Sequence, residues 1–321
     1  MESSVKTGVT VVLLVPAVVL VTAGIFYLYG VILRMLRKTT VRNKVVLITD
    51  SASALGNECA KLFHKGGARL ILCGKSWEKL EDLAEQLANE SDPTLTFPPK
   101  LVELDFSDTE SLPGVVSDVL DCYGCLDVLI FNSSMKVKAP AHTLSLEIDR
   151  LVMDTNYFGP VTLAKGVLPS MISRRSGHIL LVNSIQGKLT VPFRTTYAAS
   201  KHAVQAFFDC LRAEVQEYGI SVSTISHTFI TTAPSSIQST TSTSSNSNTS
   251  KSILSDLSRQ QHHGVSAVEM AGELLRTLSS KNNEIIMASF LSRAAIYARS
   301  FCPNFFFSVI SAGVRNAGDM E

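Results

Sequence analysis

Short apolar runs alternate with amphipathic segments along most of the chain. The runs are rich in valine, isoleucine and leucine and carry few polar positions, which is typical of strands that are buried on both faces. They cover residues 44–49, 69–74, 100–105, 126–131, 178–183, 220–226 and 283–288. Helical periodicity is seen between them, over residues 58–64, 77–87, 112–122, 146–172, 197–218 and 265–278.

This alternation predicts the fold class. Strands that alternate with helices favour an α/β fold, in which right-handed crossovers place helices on both faces of a parallel sheet. We therefore expect a doubly wound, Rossmann-type sheet in a single domain over residues 39–290. Ligands of such sheets bind at the carboxyl ends of the strands, so candidate residues are sought there.

The first segment has a different pattern. From Gly8 to Leu33 there are 26 residues without a charge, whereas about 20 suffice to cross a bilayer as a helix. Five basic residues, all between Arg34 and Lys44, follow it. This flank favours an uncleaved transmembrane anchor over residues 1–38, with the domain in the cytoplasm. The small residues Val21-Thr22-Ala23 leave a cleaved signal peptide as the alternative, with a lumenal or secreted protein.

Two further segments interrupt or extend the domain. Serine, threonine and asparagine make up 15 of the 18 residues from 235 to 252. Such a segment has too few apolar side chains to fold into an ordered structure. We interpret residues 233–255 as a flexible segment. Residues 291–321 form an apolar C-terminal extension, whose run from Phe301 to Val314 is too short to span a bilayer and either lies on a membrane or packs on the core.

Composition narrows the classes of partner. The chain carries 29 basic and 28 acidic residues, so no net charge is available for nucleic-acid phosphates. Its hydrophobic fraction of 45% is that of a folded chain rather than a disordered one. Six cysteines in 321 residues do not make a disulfide framework, and no histidine or cysteine set has the spacing of a metal site.

The strongest chemical signal is the set Ser184, Tyr197 and Lys201. Tyr197 and Lys201 are four residues apart, so in a helix they share one face. A free phenol has a pKa near 10, and we expect the adjacent ammonium to lower it towards the range of a general base. Ser184 ends a predicted strand and is placed to hold a substrate oxygen. Asn156 lies in the preceding long helix, where its amide can bind a backbone carbonyl or water.

These residues resemble the short-chain dehydrogenase/reductase family over residues 43–290. In that family Asn, Ser, Tyr and Lys form a catalytic tetrad, which matches Asn156, Ser184, Tyr197 and Lys201 here. The resemblance implies an NAD(P)-dependent oxidoreductase in which Lys201 also holds the nicotinamide ribose and Asn156 holds a water of the proton relay. It further implies that Tyr197 and Lys201 both contact the cofactor and that the flexible segment, residues 233–255, is the substrate lid.

The likeness is closest to a membrane-bound branch of the family. It rests on SRRSGHILLVNS, FRTTYAASKHA and FFDCLRAEV, together with the leading apolar segment. The resemblance implies a protein of the endoplasmic or sarcoplasmic reticulum membrane that acts on a lipophilic retinol- or steroid-like alcohol. It also implies a homodimer face formed by two long helices.

The cofactor-binding turn departs from the family pattern T-G-x-x-x-G-x-G. Here the turn runs from Thr49 to Gly56, with Asp50 and Ala54 in place of two glycines. Asp50 either brings a carboxylate close to phosphate, which weakens binding, or caps the following turn. The cofactor contacts implied by the resemblance are Thr49, Ser51, Leu55, Gly56, Asn132, Ile230 and Thr232.

Two more positions bear on the choice between NAD and NADP. Asp105, at the end of the third strand, matches the family's adenine contact. An acidic residue after the second strand would bind the ribose 2′-hydroxyl, but the chain has Gly74-Lys75, which leaves room for a 2′-phosphate and supplies a cation. NADP is therefore favoured, with NAD the alternative.

Two functions remain open on this sequence. The first is a membrane-anchored enzyme that moves hydride between NAD(P) and a lipophilic alcohol or its carbonyl. The second is a cofactor-impaired homologue that serves as a membrane-bound interaction or sensing module. This second function is motivated by departures from the family pattern. They are Asp50 and Ala54 in the turn, Ser133-Ser134 in place of Ala-Gly, and His227-Thr228 in place of Pro-Gly.

Overall fold

The computed structural model describes residues 22, 24, 29, 41–92, 94–231 and 264–318. Residues 1–40 and 41–321 form separate units. In the first, Thr22, Gly24 and Tyr29 are helical, and the rest of the expected anchor lies outside the described residues. None of the helices traced through the described residues has the length and hydrophobicity needed to cross a bilayer. The expected lid, residues 233–255, also lies outside them.

The predicted strands are present. In chain order the strands are β1 Val45–Ile48, β2 Arg69–Gly74, β3 Lys100–Glu103, β4 Val128–Phe131, β5 Gly177–Ser184, β6 Ile220–His227, β7 Ile230–Thr231, β8 Val265–Ser266 and β9 Glu284–Met287. The short strands β7 and β8 pair with each other and were not predicted. Seven of them form one parallel sheet in the order β3-β2-β1-β4-β5-β6-β9. The doubly wound sheet is thereby confirmed.

Helices cover both faces of this sheet. They are α1 Ala54–Lys65, α2 Trp77–Glu90, α3 Leu112–Tyr123, α4 Leu146–Met153, α5 Gly159–Ser173, α6 Thr195–Val215, α7 Ala267–Ser280, α8 Phe290–Phe301 and α9 Pro303–Gly318. Alternate residues of one strand enter different cores. Val45 and Leu47 pack with Phe208 of α6, whereas Val46 and Ile48 pack with Phe63 of α1.

The long helix expected over residues 146–172 is wrong in one respect. It is interrupted by a π-helical turn from Asp154 to Phe158, between α4 and α5. Such turns are rare and occur often at functional sites. Asn156 lies within this turn and is buried.

Strand order reverses between β1 and β4. Their carboxyl ends are tied together, because the Thr49 amide donates to the Ile130 carbonyl at 3.0 Å and the Asn132 amide donates to Thr49 Oγ1 at 2.9 Å. This switch point is where an open α/β sheet places its ligand.

Candidate active site

The four tetrad positions converge at the carboxyl edge of the sheet. Ser184 is the last residue of β5, Tyr197 and Lys201 lie on the first turns of α6, and Asn156 lies in the π-turn. All four side chains are buried. Lys201 Nζ lies 5.9 Å from the centroid of the Tyr197 ring, which is the shared helix face expected from the spacing.

Asn156 fixes the loop after β4. Its Oδ1 accepts a hydrogen bond from the Met135 amide at 2.7 Å, and its Nδ2 donates to the Met135 carbonyl at 2.9 Å. The same Nδ2 donates to Ser200 Oγ at 3.0 Å, and Ser200 Oγ donates to the Tyr197 carbonyl at 2.8 Å. The amide therefore binds a backbone carbonyl, as its residue type allowed, and links that loop to the tyrosine helix.

The expected lowering of the Tyr197 pKa is wrong for this structure. Burial raises the pKa of Tyr197 above its ordinary value, and the hydroxyls of Ser134 and Ser184 together with the charge of Arg194 oppose this only in part. Burial dominates because the phenolate loses its hydration in a site where the phenol is 3% exposed. The phenol is accordingly protonated at neutral pH.

Lys201 is affected in the same way. Complete burial and the nearby charge of Lys136 lower the pKa of Lys201 to about 7. The ammonium is therefore only partly populated at neutral pH, and Lys201 is not among the groups that lower the pKa of Tyr197.

Two groups near the tetrad, Lys136 and Arg194, were not singled out from the sequence, and His227 was noted only as a departure from the family's Pro-Gly. The charge of Lys136 acts on Lys201 and His227, and the charge of Arg194 acts on Tyr197 and Lys136. His227 pairs in register with Ser184 on the neighbouring strand. Burial, with Lys136 and Lys201, lowers the pKa of His227 to about 3, so its imidazole is neutral. The available signals were a cation three residues before Tyr197 and a histidine where the family has proline.

Asp50 occupies a backbone conformation that glycine favours. Its φ is +49°, in the left-handed region, and its carbonyl accepts hydrogen bonds from the Ser53 amide at 3.1 Å and from Ser53 Oγ at 2.7 Å. Burial raises the pKa of the Asp50 carboxyl, while Lys75 and Lys79 oppose the rise. The helix α1 is capped by Ser53, whose Oγ accepts from the Gly56 amide at 3.2 Å. Asp50 is therefore not the side-chain cap.

The turn requires glycine at position 56, because it has no space for a side chain there. A Cβ there would lie 2.3 Å from the Asp50 carbonyl oxygen and 2.7 Å from Ser51 Cα, both backbone atoms. The close approach of the turn to the start of α1 thus requires glycine at this position and explains why this one remains.

The residues implied to contact the cofactor differ in whether their polar groups are free to bind it. Thr49, Ser51 and Leu55 are buried. Ser51 is fully used as a link between strands, since its amide donates to the Cys73 carbonyl at 2.8 Å and its Oγ accepts from the Cys73 amide at 3.0 Å. A cofactor contact through its amide or hydroxyl is not compatible with this arrangement.

Asn132 holds the turn to β4. Its Nδ2 donates to Ser53 Oγ at 2.8 Å, and Ser133 Oγ donates to Thr49 Oγ1 at 3.2 Å. Asn132 and Thr49 are therefore positioning residues of the turn in this structure. The amides of Ala54 and Leu55 open α1 and have no hydrogen-bond partner among the described residues, which suits them to an anion.

Lys75 and Asp105, assigned to opposite ends of the adenosine moiety, form an ion pair. Lys75 Nζ lies 2.7 Å from Asp105 Oδ1, and Ser107 Oγ donates to the same oxygen at 2.6 Å. Burial alone would raise the pKa of Asp105, but the hydrogen bonds from Lys75 and Ser107 outweigh it and hold the pKa below its usual value. Of the remaining contacts, Ile230 lies in β7, and Thr232 lies outside the described residues. No cluster of metal-binding side chains occurs in the part of the chain that the structure describes.

The chain was compared with known proteins. The model of the short chain dehydrogenase family matches residues 44–242. The chain is 68% identical to dehydrogenase/reductase SDR family member 7C-B of Danio rerio over 303 residues, which cover 94% of this chain and 93% of that protein. It is 52% identical to dehydrogenase/reductase SDR family member 7C of Homo sapiens over 309 residues, which cover 96% and 97% of the two chains.

Solved structures share the fold at low sequence identity. A metagenomic short-chain oxidoreductase in complex with NADP has a TM-score of 0.61 at 20% identity, over 78% of this chain and 98% of that one. A short-chain dehydrogenase from Streptomyces avermitilis has a TM-score of 0.64 at 20% identity, over 85% and 97%.

Proposed function

Because this chain belongs to the short-chain dehydrogenase/reductase family, we propose that it is a membrane-anchored NAD(P)-dependent oxidoreductase that interconverts a lipophilic alcohol and its carbonyl. The observation that carries the proposal is the convergence of Asn156, Ser184, Tyr197 and Lys201 in one buried site. The fold alone does not require these four side chains to lie together in one buried site.

The protein's own groups account for proton transfer. The Ser184 hydroxyl is near enough to the Tyr197 phenol to counter the rise in its pKa, so we place both groups on one substrate oxygen. In reduction Tyr197 gives its proton to the carbonyl oxygen, and in oxidation it receives the hydroxyl proton. Bound NAD(P) supplies or accepts the hydride. Lys201 supports the phenolate when that charge develops, and Asn156 keeps the loop at Met135 in place.

The protonation state favours one direction. Since burial raises the Tyr197 pKa, the phenol carries its proton at neutral pH and is ready to act as a general acid. Carbonyl reduction is therefore the direction that needs no prior loss of a proton from Tyr197.

The residues at the switch point fit a dinucleotide. The unpartnered amides of Ala54 and Leu55 at the start of α1 would hold the pyrophosphate. Lys75 would meet a 2′-phosphate, which favours NADP. Asp50 opposes this fit with a carboxylate at the same turn, so the affinity is expected to be lower than with glycine.

The membrane location belongs to the same proposal. We assign residues 1–38 to an anchor with a basic flank, 39–290 to the catalytic domain with its lid at 233–255, and 291–321 to an apolar extension. The uncharged run from Gly8 to Leu33 and the basic residues after it support a membrane anchor with the domain on the cytoplasmic side. The family resemblance implies the endoplasmic or sarcoplasmic reticulum as the membrane. A membrane anchor on the same chain suits a retinol- or steroid-like substrate that partitions into lipid.

Orientation has a direct test. The sequons Asn89-Glu90-Ser91, Asn132-Ser133-Ser134 and Asn248-Thr249-Ser250 would be accessible to glycosylation only from the lumen. The full chain expressed in cells should show no mobility shift on treatment with a peptide N-glycosidase. A shift would assign the domain to the lumen and overturn the cytoplasmic orientation.

A second function is favoured by one observation. Asp50 combines a positive φ with a half-buried carboxylate at the phosphate-binding turn, as expected if selection for cofactor affinity had relaxed. In that case the chain would be a cofactor-impaired, membrane-bound interaction or sensing module.

Replacing the tyrosine separates the two functions. With all-trans-retinal and NADPH as probes, the full chain in detergent should oxidise NADPH, and Tyr197→Phe should abolish turnover while NADPH still binds. Tyr218→Phe is the matched control, because Tyr218 precedes β6 at the opposite edge of the sheet. Turnover retained by Tyr197→Phe would show that the tyrosine is misassigned.

A further inference from the structure

A group of cations surrounds the substrate side of the tetrad. Burial and the nearby charge of Arg194 lower the pKa of Lys136, and the charge of Lys136 adds to the effect of burial in lowering the pKa values of Lys201 and His227. In the described part of the chain, none of Lys136, Arg194 and Lys201 forms an ion pair. Like charges held together without an acid cost free energy, which a bound anion would recover.

The backbone holds these cations in place. Lys136 follows Met135, which is clamped through both its amide and its carbonyl by Asn156. The Ala139 amide donates to the Phe193 carbonyl at 2.9 Å, so the loop that carries Lys136 is tied to the segment that carries Arg194. The Arg194 guanidinium lies 5.9 Å from the centroid of the Phe229 ring, just after β6. These contacts connect three segments: the loop after β4, the segment that leads into α6 and the residues just after β6.

An unsatisfied polar atom lies at the same place. His227 is 8% exposed, and its Nδ1 has no hydrogen-bond partner among the described residues. A buried polar atom without a partner costs about 1–3 kcal/mol, so such atoms are commonly reserved for a ligand. After burial, the charges of Lys136 and Lys201 are the causes that lower the pKa of His227, so its imidazole lies near these cations.

These cations are distinct from those of the cofactor turn. The Asp50 carboxyl at that turn is influenced by Lys75 and Lys79. Lys136 instead acts on Lys201 and His227, at the reacting end of the site. An anion bound at Lys136 is therefore part of the substrate rather than the pyrophosphate or the 2′-phosphate.

We propose that Lys136 and Arg194 form a binding site for an anionic group, most simply a carboxylate, carried by the substrate near its reacting carbonyl. This inference rests on the proposed function and refines its substrate class to lipophilic oxo or hydroxy acids. The two cations and the free Nδ1 of His227 supply charge-assisted and neutral hydrogen bonds to such a group. A neutral alcohol or ketone leaves the cations unpaired.

Binding without turnover tests the site first. The full chain in detergent, without cofactor, is titrated by calorimetry with 4-formylbenzoate and with its methyl ester, which differ in the charge. The carboxylate should bind at least about tenfold more tightly, and Lys136→Gln should remove most of that preference. Lys138→Gln is the matched control, because Lys138 lies two residues further along the same loop and is exposed like Lys136, but does not contribute to the pKa shifts of Lys201 and His227. Equal binding of acid and ester, or equal effects of the two substitutions, would overturn the inference.

Turnover with NADPH then separates this inference from the proposed function. The ratio of kcat/KM for the acid to that for the ester should fall about tenfold in Lys136→Gln and stay unchanged in Lys138→Gln. Charge-selective binding with no turnover of either aldehyde would sustain the anion site and count against the enzyme. Turnover of both aldehydes at one rate, unaffected by Lys136→Gln, would sustain the enzyme and overturn the anion site.

Discussion

Lys75 Nζ lies 2.7 Å from Asp105 Oδ1, so the cation that follows β2 is paired with the acid that follows β3. Both side chains are substantially exposed, at 59% and 39%. An exposed ion pair contributes at most about 1 kcal/mol, so the pair yields readily to a stronger partner. A dianionic 2′-phosphate is such a partner, and the pairing positions Lys75 without withdrawing it from a cofactor.

The choice of cofactor is predicted to depend on Lys75. Lys75→Gln should weaken NADPH binding about tenfold and leave NADH binding nearly unchanged, because only NADPH carries the 2′-phosphate. Fluorescence titration with each nucleotide measures this. Lys65→Gln is the control, since Lys65 lies at the end of α1 that faces away from the site. Equal weakening of both nucleotides would contradict a 2′-phosphate contact.

Asp50 is predicted to reduce cofactor affinity through its charge. Asp50→Asn removes the charge and tolerates a positive φ, and Asp50→Gly also relieves the strained backbone. Both should tighten NADPH binding severalfold, and Asp50→Gly should also raise the free energy of unfolding by about 1 kcal/mol. Tighter binding in Asp50→Gly alone would assign the effect to the backbone.

The same carboxyl predicts a pH dependence. Burial raises the pKa of Asp50, so its charge is lost as the pH falls through a value above the ordinary one for aspartate. NADPH binding to the wild-type chain should therefore tighten as the pH is lowered towards that range, relative to Asp50→Asn measured at each pH. Parallel pH profiles for the two proteins would be evidence against a charge effect.

Gly56 is predicted to be essential for the turn. Gly56→Ala places Cβ within 2.7 Å of two backbone atoms that cannot move independently, which should cost about 1–3 kcal/mol of stability and disturb the amides of Ala54 and Leu55. Gly114→Ala is a matched control in α3, where no atom lies within 4 Å of the added Cβ. Thermal unfolding of both variants measures the difference, and equal melting temperatures would refute the close approach.

Stability in acid should depend on His178. Burial, with a smaller effect of Lys281, lowers its pKa to about 4, and its Nε2 lies 2.9 Å from Ser223 Oγ. In the unfolded chain this histidine takes up a proton near pH 6.5, whereas in the folded chain it does not. Its contribution to the free energy of unfolding is therefore fully present above pH 6.5 and is lost as the pH drops towards 4. This histidine should contribute on the order of 2 kcal/mol to the loss between pH 7 and 5. When the free energy of unfolding is measured by denaturant at several pH values, it should fall less steeply with pH in His178→Gln than in the wild type. An equal pH dependence in the two proteins would contradict the assignment.

The strands could be predicted from the sequence because burial on both faces leaves an unbroken apolar run. Residues 69–74 were predicted as a strand, and β2 has those limits. The turn at Asp154 to Phe158 could not be predicted, since its residues continue the helical periodicity on both sides. Its π-helical geometry coincides with the contacts that Asn156 makes to Met135, which is far from it in sequence.

The convergence of Asn156, Ser184, Tyr197 and Lys201 could be predicted from the sequence, but the pKa shifts of Tyr197 and Lys201 could not. The spacing of Tyr197 and Lys201 fixes their common face, whereas the sign of the tyrosine pKa shift depends on how deeply the fold buries both groups. The roles of Lys136 and His227 likewise depend on contacts between the loop after β4 and the end of β6. Such contacts have no signature in local sequence.

The central claim is that this chain binds a nicotinamide cofactor despite Asp50 and Ala54 in its phosphate-binding turn. It is tested most directly by titrating the full chain in detergent with NADPH and following nicotinamide fluorescence. We predict saturable binding with a dissociation constant below about 1 mM, within the range in which enzymes of this kind operate. A signal that rises linearly to several times that concentration, in wild type and Asp50→Gly alike, would contradict the account.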